Sequence, residues 1–180
     1  MLQVLRSFEV EGRVGSAVEL GCGDGTGSVE LLTRGWEVLS IDAHDDAIRR
    51  LRERIPADAE PRSTTMVSSM ESADLPATDL VFASFSLPFC PPAAFPGLWH
   101  RIRSALRPGG RVAGELFGDR DTWASDPSMT FHTEGAARAL FDGLEVESFV
   151  EEDEDGESFD GPKHWHVFHV IARRPARLLG

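Results

Sequence analysis

Three features are scarce in this sequence, and each scarcity excludes a class of protein. Two cysteines in 180 residues are too few for a disulfide framework. Eighteen basic residues stand against 30 acidic ones, and the formal net charge of -12 argues against nucleic acid as the main partner. No apolar run approaches the roughly 20 residues of a membrane span, and residues 1–13 lack a signal-peptide pattern. We therefore expect a cytoplasmic protein with no membrane partner.

The composition otherwise predicts an ordinary folded domain. Apolar residues make up 41% of the chain and the mean hydropathy is -0.20, values typical of soluble globular proteins. A chain of 180 residues is long enough to build one proper core. We predict a single domain over residues 1–180, with Cys22 and Cys90 as free thiols.

Apolar strands alternate with amphipathic helices along the chain. The predicted strands cover residues 17–20, 36–41, 62–70, 78–84, 111–117, 144–150 and 164–174, and helical patterns fill most of the gaps. The last two strands are separated only by an acidic loop over residues 151–163, so they should form an antiparallel hairpin. Such alternation predicts an α/β fold with a mostly parallel sheet covered on both faces.

A glycine-rich turn follows the first predicted strand, but it lacks two common signatures. Thr26 stands where a dinucleotide-binding turn has its third glycine, and no P-loop lysine follows. Glu19 and Asp24 flank the turn with negative charge, which disfavours a pyrophosphate and favours a ligand with an ammonium or sulfonium group. Asp42, at the end of the second strand, is placed to accept hydrogen bonds from both hydroxyls of a ribose.

Four segments in order resemble the motifs of class I S-adenosylmethionine-dependent methyltransferases. VELGCGDGTG and VLSIDAH resemble that family's first motif and its successor, LPATDLVFASFSLPF its fourth-strand motif, and LRPGGRVAGELF its turn into the fifth strand. The layout is similar to small bacterial methyltransferases related to tellurite-resistance enzymes. The resemblance implies a Rossmann-like three-layer sandwich with a seven-stranded, mostly parallel sheet and an antiparallel last strand.

The resemblance also implies S-adenosylmethionine as cofactor, with S-adenosylhomocysteine as product, and a set of residues that hold it. Glu19 would orient the glycine turn or meet the amino group of the cofactor. Asp42 would hold the ribose, and Glu71 is an alternative to Ser69 and Met70 at the adenine edge. The full set of implied cofactor residues is Glu19, Gly21, Cys22, Gly23, Asp24, Gly25, Asp42, Ala43, Ser69, Met70, Ser84 and Phe85.

Methyl transfer from this cofactor is a direct displacement, so a catalytic base is needed only if the acceptor must lose a proton. We name no established catalytic residue; His132 and His164 are the candidates for a base. His164 and His166 share one face of the last strand near the acidic loop. Pairing within the sheet is the favoured interpretation of these histidines, so we predict no metal site.

The acceptor is expected at the loops over residues 84–92, 117–127 and 151–163, which follow the carboxyl ends of the later strands. We predict a small-molecule acceptor with an oxygen, nitrogen or sulfur nucleophile. The alternatives are a peptide or protein side chain, a non-catalytic S-adenosylmethionine-binding module, and a nicotinamide oxidoreductase. Few residues precede the first strand, so either the site stays open for a peptide or a second subunit completes it in a homodimer.

Overall fold

The computed structural model describes residues 2–158 and 160–176. The expected single domain also includes residues 1, 159 and 177–180, which lie outside the described residues. Three short 3-10 turns lie at Glu60–Arg62, Leu87–Phe89 and Thr122–Ser125. The helices and strands, in chain order, are α1 (Leu2–Val10), β1 (Ser16–Leu20), α2 (Thr26–Thr33), β2 (Glu37–Asp42), α3 (Asp45–Arg54), β3 (Ser63–Val67), β4 (Thr78–Ala83), α4 (Phe95–Ala105), β5 (Leu106–Gly118), β6 (Phe131–His132), α5 (Glu134–Ala139), β7 (Glu145–Ser158) and β8 (Gly161–Arg173).

The strands form one sheet in the order β3-β2-β1-β4-β5-β8-β7, with the two-residue β6 beside β5. In the described part of the chain, β8 runs antiparallel to β5 and β7, and every other pairing is parallel. This order confirms the predicted mostly parallel, Rossmann-like sheet with a reversed last strand. The carboxyl ends of the parallel strands meet at one edge, where open α/β sheets bind their ligands.

Helices bury apolar stripes on both faces of this sheet. Leu98 and Ile102, four residues apart on α4, are fully buried on one face, as the helical spacing predicts. On the other face, α1 buries Val4 and Phe8 beside Leu31 of α2. The sequence analysis did not anticipate α1. Within the described residues, no helix is both long and apolar enough to cross a bilayer.

The main correction concerns the acidic segment over residues 151–163, which is not a loop. β7 continues through the acids to Ser158 and β8 begins at Gly161, so the hairpin is a long two-stranded ribbon. Asp and Glu have low strand propensity, and that is why the sequence favoured a loop. Here Arg120 donates to Glu151 and Asp153, which offsets repulsion between the acids. Charge on an edge strand such as β7 also discourages pairing with other chains.

Two other strand boundaries differ from those predicted by more than one residue. β3 ends at Val67 rather than at residue 70. β5 begins at Leu106 rather than at residue 111, because the Pro-Gly-Gly segment continues the strand with a shift of register against β4 between Thr78 and Leu80. The first change places residues 68–70 in the loop that follows β3, and the second lies at the amino end of β5.

Candidate active site

The turn between β1 and α2 depends on glycines in a left-handed conformation. Gly21, Gly23 and Gly25 have φ angles of 69°, 54° and 80°, a region that side-chain-bearing residues rarely adopt. A β-carbon at Gly21 would lie 2.5 Å from Cβ of Ser86, and one at Gly25 would lie 2.6 Å from Cδ1 of Leu51. Gly23 has nothing within 4 Å of its missing β-carbon. The turn therefore packs tightly on two sides and is open at its middle glycine.

Asp42 ends β2 beside this turn and ties it to the next loop. The backbone N–H of Gly23 donates to Oδ2 of Asp42 and that of His44 to Oδ1, both at 2.9 Å. The residue is 8% exposed. Nδ1 of His44 also lies 3.2 Å from Oδ1. A carboxylate has about four lone-pair sites, so at least one acceptor position, on Oδ2, remains after these contacts. Asp42 is thus held rigidly with acceptor capacity to spare.

Glu19 lies behind the glycine turn, between the sheet and α2. The residue is 3% exposed, and it accepts a hydrogen bond from Ser28 Oγ, which lies 2.6 Å from Ser40 Oγ. Burial raises the pKa of Glu19 to about 7, because a low-dielectric site disfavours the charged form. Its contacts are with α2 and β2.

The other polar residues of the turn have different surroundings. Asp24 is exposed; the backbone N–H of Thr26 donates to Oδ1 at 3.0 Å, and this bond lowers the pKa of Asp24. Arg54 forms an ion pair with Asp24 at 3.2 Å. Cys22 is buried against Leu51, and burial raises the pKa of its thiol to about 12. Cys22 therefore behaves as a small apolar residue rather than as a nucleophile.

A cavity of about 380 Å³ opens where the carboxyl ends of β1, β2, β3 and β4 meet. Its volume lies within the range of small-molecule sites, about 300–1,000 Å³. Among the residues that line it, Asp42 and Glu71 are acidic and none is Lys or Arg. The lining residues are Gly21, Asp42, Ala43, His44, Ser68, Ser69, Met70, Glu71, Ser84, Phe85, Ser86 and Phe89.

Phe85 forms the wall of this cavity at the end of β4. Its ring centroid lies 6.3 Å from that of Phe117 and 6.1 Å from that of Trp165. Trp123 lies 5.8 Å from Trp165, so the aromatic contacts continue away from the cavity. This aromatic cluster joins the cavity to the half of the β7–β8 hairpin that is nearer its turn.

Comparison with known protein families shows the family to which this chain belongs. A family model described as a methyltransferase domain matches residues 17–110, which include the glycine turn, Asp42 and all of the cavity lining. The chain belongs to the class I S-adenosylmethionine-dependent methyltransferases. A curated relative, the carboxy-S-adenosyl-L-methionine synthase of Geobacter metallireducens, is 26% identical over 122 residues, which cover 64% of this chain and 49% of that protein.

Solved structures of the same fold cover nearly the whole chain. TehB from Haemophilus influenzae superposes with a TM-score of 0.79 at 17% identity, covering 97% of this chain and 62% of that one. The N-methyltransferase NodS from Bradyrhizobium japonicum WM9 gives 0.73 at 19% identity, covering 97% and 93%. NodS has also been solved with S-adenosyl-L-homocysteine. This methyltransferase domain spans about half the length of its curated relative and less than two thirds of TehB.

The residues present fit S-adenosylmethionine, the cofactor of this family. The cofactor carries an ammonium and a sulfonium, and the cavity offers Asp42 and Glu71 with no lysine or arginine in its lining. The missing β-carbon of Gly23 leaves open space over the turn. Seven of the predicted cofactor residues line the cavity, and the others lie in or behind the turn: Glu19, Cys22, Gly23, Asp24 and Gly25.

Neither candidate base lines the cofactor cavity. His132 is half-buried with its ring 5.0 Å from that of Phe95, and burial lowers its pKa. His164 lies on the hairpin between Asp155 and Asp153, with ring nitrogens 2.8 and 2.7 Å from their carboxylates. These hydrogen bonds raise the pKa of His164, Asp155 having the larger effect. Both remain candidates only if the acceptor extends beyond the cavity.

Glu151, Asp153 and His166 bring ligand-type atoms within 4.8 Å of one another on the hairpin. Arg120 already occupies this cluster, since its Nη2 lies 2.6 Å from Glu151 and 2.5 Å from Asp153. Nδ1 of His166 accepts from the backbone N–H of Arg120 at 3.0 Å, so the ring proton lies on Nε2 and points to Glu151. A metal would need the Nε2 lone pair. The cluster is an ion-pair network.

Four lining residues were not among the predicted cofactor residues: His44, Ser68, Ser86 and Phe89, of which the last two lie in the loop predicted for the acceptor. Ser86 packs against Gly21, and its Oγ donates to the carbonyl of Leu20 at 2.5 Å. The signal for His44 and Ser68 was available, since each lies within two residues of a strand end. Ser86 had no sequence signal, because its role depends on the contact between β1 and the loop after β4.

Proposed function

We propose that this protein transfers the methyl group of S-adenosylmethionine to a small-molecule acceptor. The observation that carries the proposal is Asp42, a buried carboxylate with spare acceptor capacity that lines a cavity beside three left-handed glycines. A ribose with two neighbouring hydroxyls matches such an acceptor. The acidic lining fits the cationic parts of the cofactor better than it fits a pyrophosphate.

When bound, the cofactor supplies an activated methyl group on a sulfonium. The protein itself would orient the reactants and exclude water. Asp42 would hold the ribose, Ala43 and Met70 the adenine, and Ser84 and Phe85 the side that faces the acceptor. The glycine turn would hold the methionine part, with Glu19 fixing α2 behind it. None of these roles requires a proton transfer.

A small acceptor is supported by the aromatic cluster of Phe117, Trp123 and Trp165, which adjoins the cavity through Phe85 in its wall. Aromatic rings pack well against a compact organic acceptor. They would also stack on nucleobases, but the net charge of -12 disfavours phosphate-rich partners. Two structural neighbours, NodS and the glycopeptide N-methyltransferase MtfA, are named for methylating nitrogen. We therefore place amines first among the acceptors to be tried. A single domain, a cytoplasmic location and a homodimer remain predictions.

Calorimetry with S-adenosylhomocysteine tests the cofactor assignment, with ATP and NADH as controls. We expect S-adenosylhomocysteine to bind and neither ATP nor NADH to bind.

A second assay tests turnover. The protein is incubated with S-adenosylmethionine and a pool of small metabolites, and the release of S-adenosylhomocysteine is followed. Binding without release from any pool would favour a non-catalytic module. Since one relative is named as a synthase of carboxy-S-adenosylmethionine, mass spectrometry should also look for a modified cofactor.

A further inference from the structure

Phe85 has an unusual backbone for its residue type. Its φ angle is 51°, and it is the one non-glycine residue with positive φ in the described part of the chain. A bulky side chain is disfavoured in this region and persists only where its surroundings hold it. Phe85 is also 41% exposed, so burial of its ring does not by itself account for the conformation.

Glu115 of β5 supplies a specific restraint on this backbone. Its Oε2 accepts a hydrogen bond from the Phe85 N–H at 2.9 Å. Ala83, the last residue of β4, pairs with Gly114, so Glu115 follows directly at the point where Phe85 leaves the sheet. A bond between a carboxylate and a backbone N–H is among the stronger hydrogen bonds in proteins.

Glu115 is in turn oriented by the neighbouring strand. It pairs with His169 of β8 across the sheet, and its Oε1 lies 3.5 Å from Nδ1 of that histidine. Nε2 of His169 lies 2.9 Å from Oε2 of Glu152 on β7. The two carboxylates therefore face opposite sides of one imidazole, and only Glu115 reaches Phe85.

A change in the backbone at Phe85 would alter the shape of the cofactor cavity. Ser84, Phe85 and Ser86 are consecutive residues of its lining. The Phe85 ring is edge-on to His169, with centroids 6.1 Å apart, and also contacts Phe117 and Trp165. The ring therefore contacts the aromatic cluster and lines the cavity at once, and its position relative to both depends on the backbone conformation at Phe85.

We propose that Glu115 is a positioning residue that holds Phe85 in its left-handed conformation and so shapes the acceptor-facing wall of the cofactor cavity. Glu115 acts through the backbone of Phe85 rather than by contact with the cofactor. Its consequence for binding and turnover rests on the function proposed above. The restraint on Phe85 itself does not depend on that function.

Three variants separate the hydrogen bond from the charge. Glu115→Ala removes both, Glu115→Gln keeps an oxygen that can accept from Phe85, and Glu152→Gln removes a charge from the same histidine without touching Phe85. The readouts are amide exchange of Phe85 by NMR, affinity for S-adenosylhomocysteine, and kcat and KM once an acceptor is known. For Glu115→Ala we expect about tenfold faster exchange, about three- to tenfold weaker affinity, and a fall in kcat larger than the rise in KM. The other two variants should stay within about twofold on each readout.

The proposal is overturned if Glu115→Ala leaves exchange and affinity at their wild-type values, or if Glu115→Gln is as damaging as Glu115→Ala. Failure of the wild-type protein to bind S-adenosylhomocysteine would refute the proposed function, and the exchange data would still decide whether Glu115 restrains Phe85. If Glu115→Ala does not fold, the hydrogen bond can still be tested by a measurement on the wild-type protein. In the wild type the Phe85 amide should be protected from exchange although the residue is 41% exposed, and exchange at the rate of an unbonded amide would contradict the hydrogen bond.

Discussion

The glycine-turn end of the sheet and the β7–β8 hairpin both gather acidic residues, yet they use them differently. Glu19 and Asp42 are buried, and hydroxyl or backbone N–H groups donate to them. Asp153 and Asp155 of the hairpin are exposed and are paired with cationic or histidine side chains. Burial, rather than the number of acids, separates a candidate ligand site from a charged strand.

The two groups of acids differ because a buried carboxylate and an exposed one interact with their surroundings with different strength. A buried carboxylate with fixed donors is preorganised and poorly screened, so it can act on a ligand. An exposed pair is screened by water and salt and contributes little. An exception is the ion pair between Lys163 of the hairpin and Asp121, whose side chains are 2% and 0% exposed.

The largest loss of stability is expected at the buried ion pair between Lys163 of the hairpin and Asp121. Nζ of Lys163 lies 2.7 Å from Oδ1 of Asp121 and 3.5 Å from the ring centroid of Trp123. Lys163→Ala leaves Asp121 buried without its cation, which costs about 3–5 kcal/mol of unfolding free energy. Urea unfolding measures the loss. Arg120→Ala is the exposed control and should cost less than about 1 kcal/mol; equal losses would remove the distinction.

In the glycine turn between β1 and α2, two substitutions separate the cost of overpacking from the cost of backbone strain. Gly21→Ala adds a β-carbon 2.5 Å from Ser86 in a left-handed backbone, so strain and overpacking together should cost about 2–5 kcal/mol. Gly23→Ala meets nothing within 4 Å and should cost the strain alone, about 1–2 kcal/mol. Thermal unfolding without ligand ranks the two. The opposite ranking would contradict the tight contact between the turn and Ser86.

Glu19 should make stability depend on pH in a direction unusual for an acid. Burial raises its folded-state pKa from 4.5 to about 7. Between these values the folded state binds more protons than the unfolded state, so stability falls as pH rises from about 4.5 to 7. Relative to Glu19→Gln, the wild type should lose about 3 kcal/mol across this range. Denaturation at pH 5 and pH 8 measures it, and an unchanged difference would mean that Glu19 is charged in the folded state.

Asp42 should affect ligand affinity more than any exposed acid. Asp42→Ala removes the proposed ribose acceptor and the partner of the Gly23 and His44 N–H groups. We expect a loss of about 1–3 kcal/mol in binding of S-adenosylhomocysteine by calorimetry. Asp45→Ala, at an exposed position in the first turn of α3, is the control and should bind as the wild type does.

The smallest effect should come from the acids of the hairpin. The triple variant Asp153→Asn, Asp155→Asn, Glu157→Gln removes three exposed charges, and Asp155 is 92% exposed in its side chain. Affinity for S-adenosylhomocysteine and turnover should stay within about twofold at physiological salt. A larger rise in KM that fades with added salt would instead give these acids a steering role.

Local sequence patterns predicted much of the fold, but they did not predict the length of the β7–β8 hairpin. Apolar periodicity located the α4 helix and most strands, because burial of one face follows from spacing. The acids over residues 151–157 had no local reason to be extended, since their partners Arg120 and His164 lie on other elements. At the site, the glycines and Asp42 were predictable from their place at strand ends, whereas Ser86 and Glu115 were not.

The sequence by itself determined the alternation of strands and helices, the position of the glycine turn and the acid at the end of β2. These features depend on local periodicity and on backbone conformations open mainly to glycine. The tertiary structure alone decided that Glu115 meets Phe85 and that Lys163 meets Asp121. Each of those pairs joins residues at least 30 positions apart, and their contact depends on sheet register and on burial by the whole fold. No pattern within one segment contains that information.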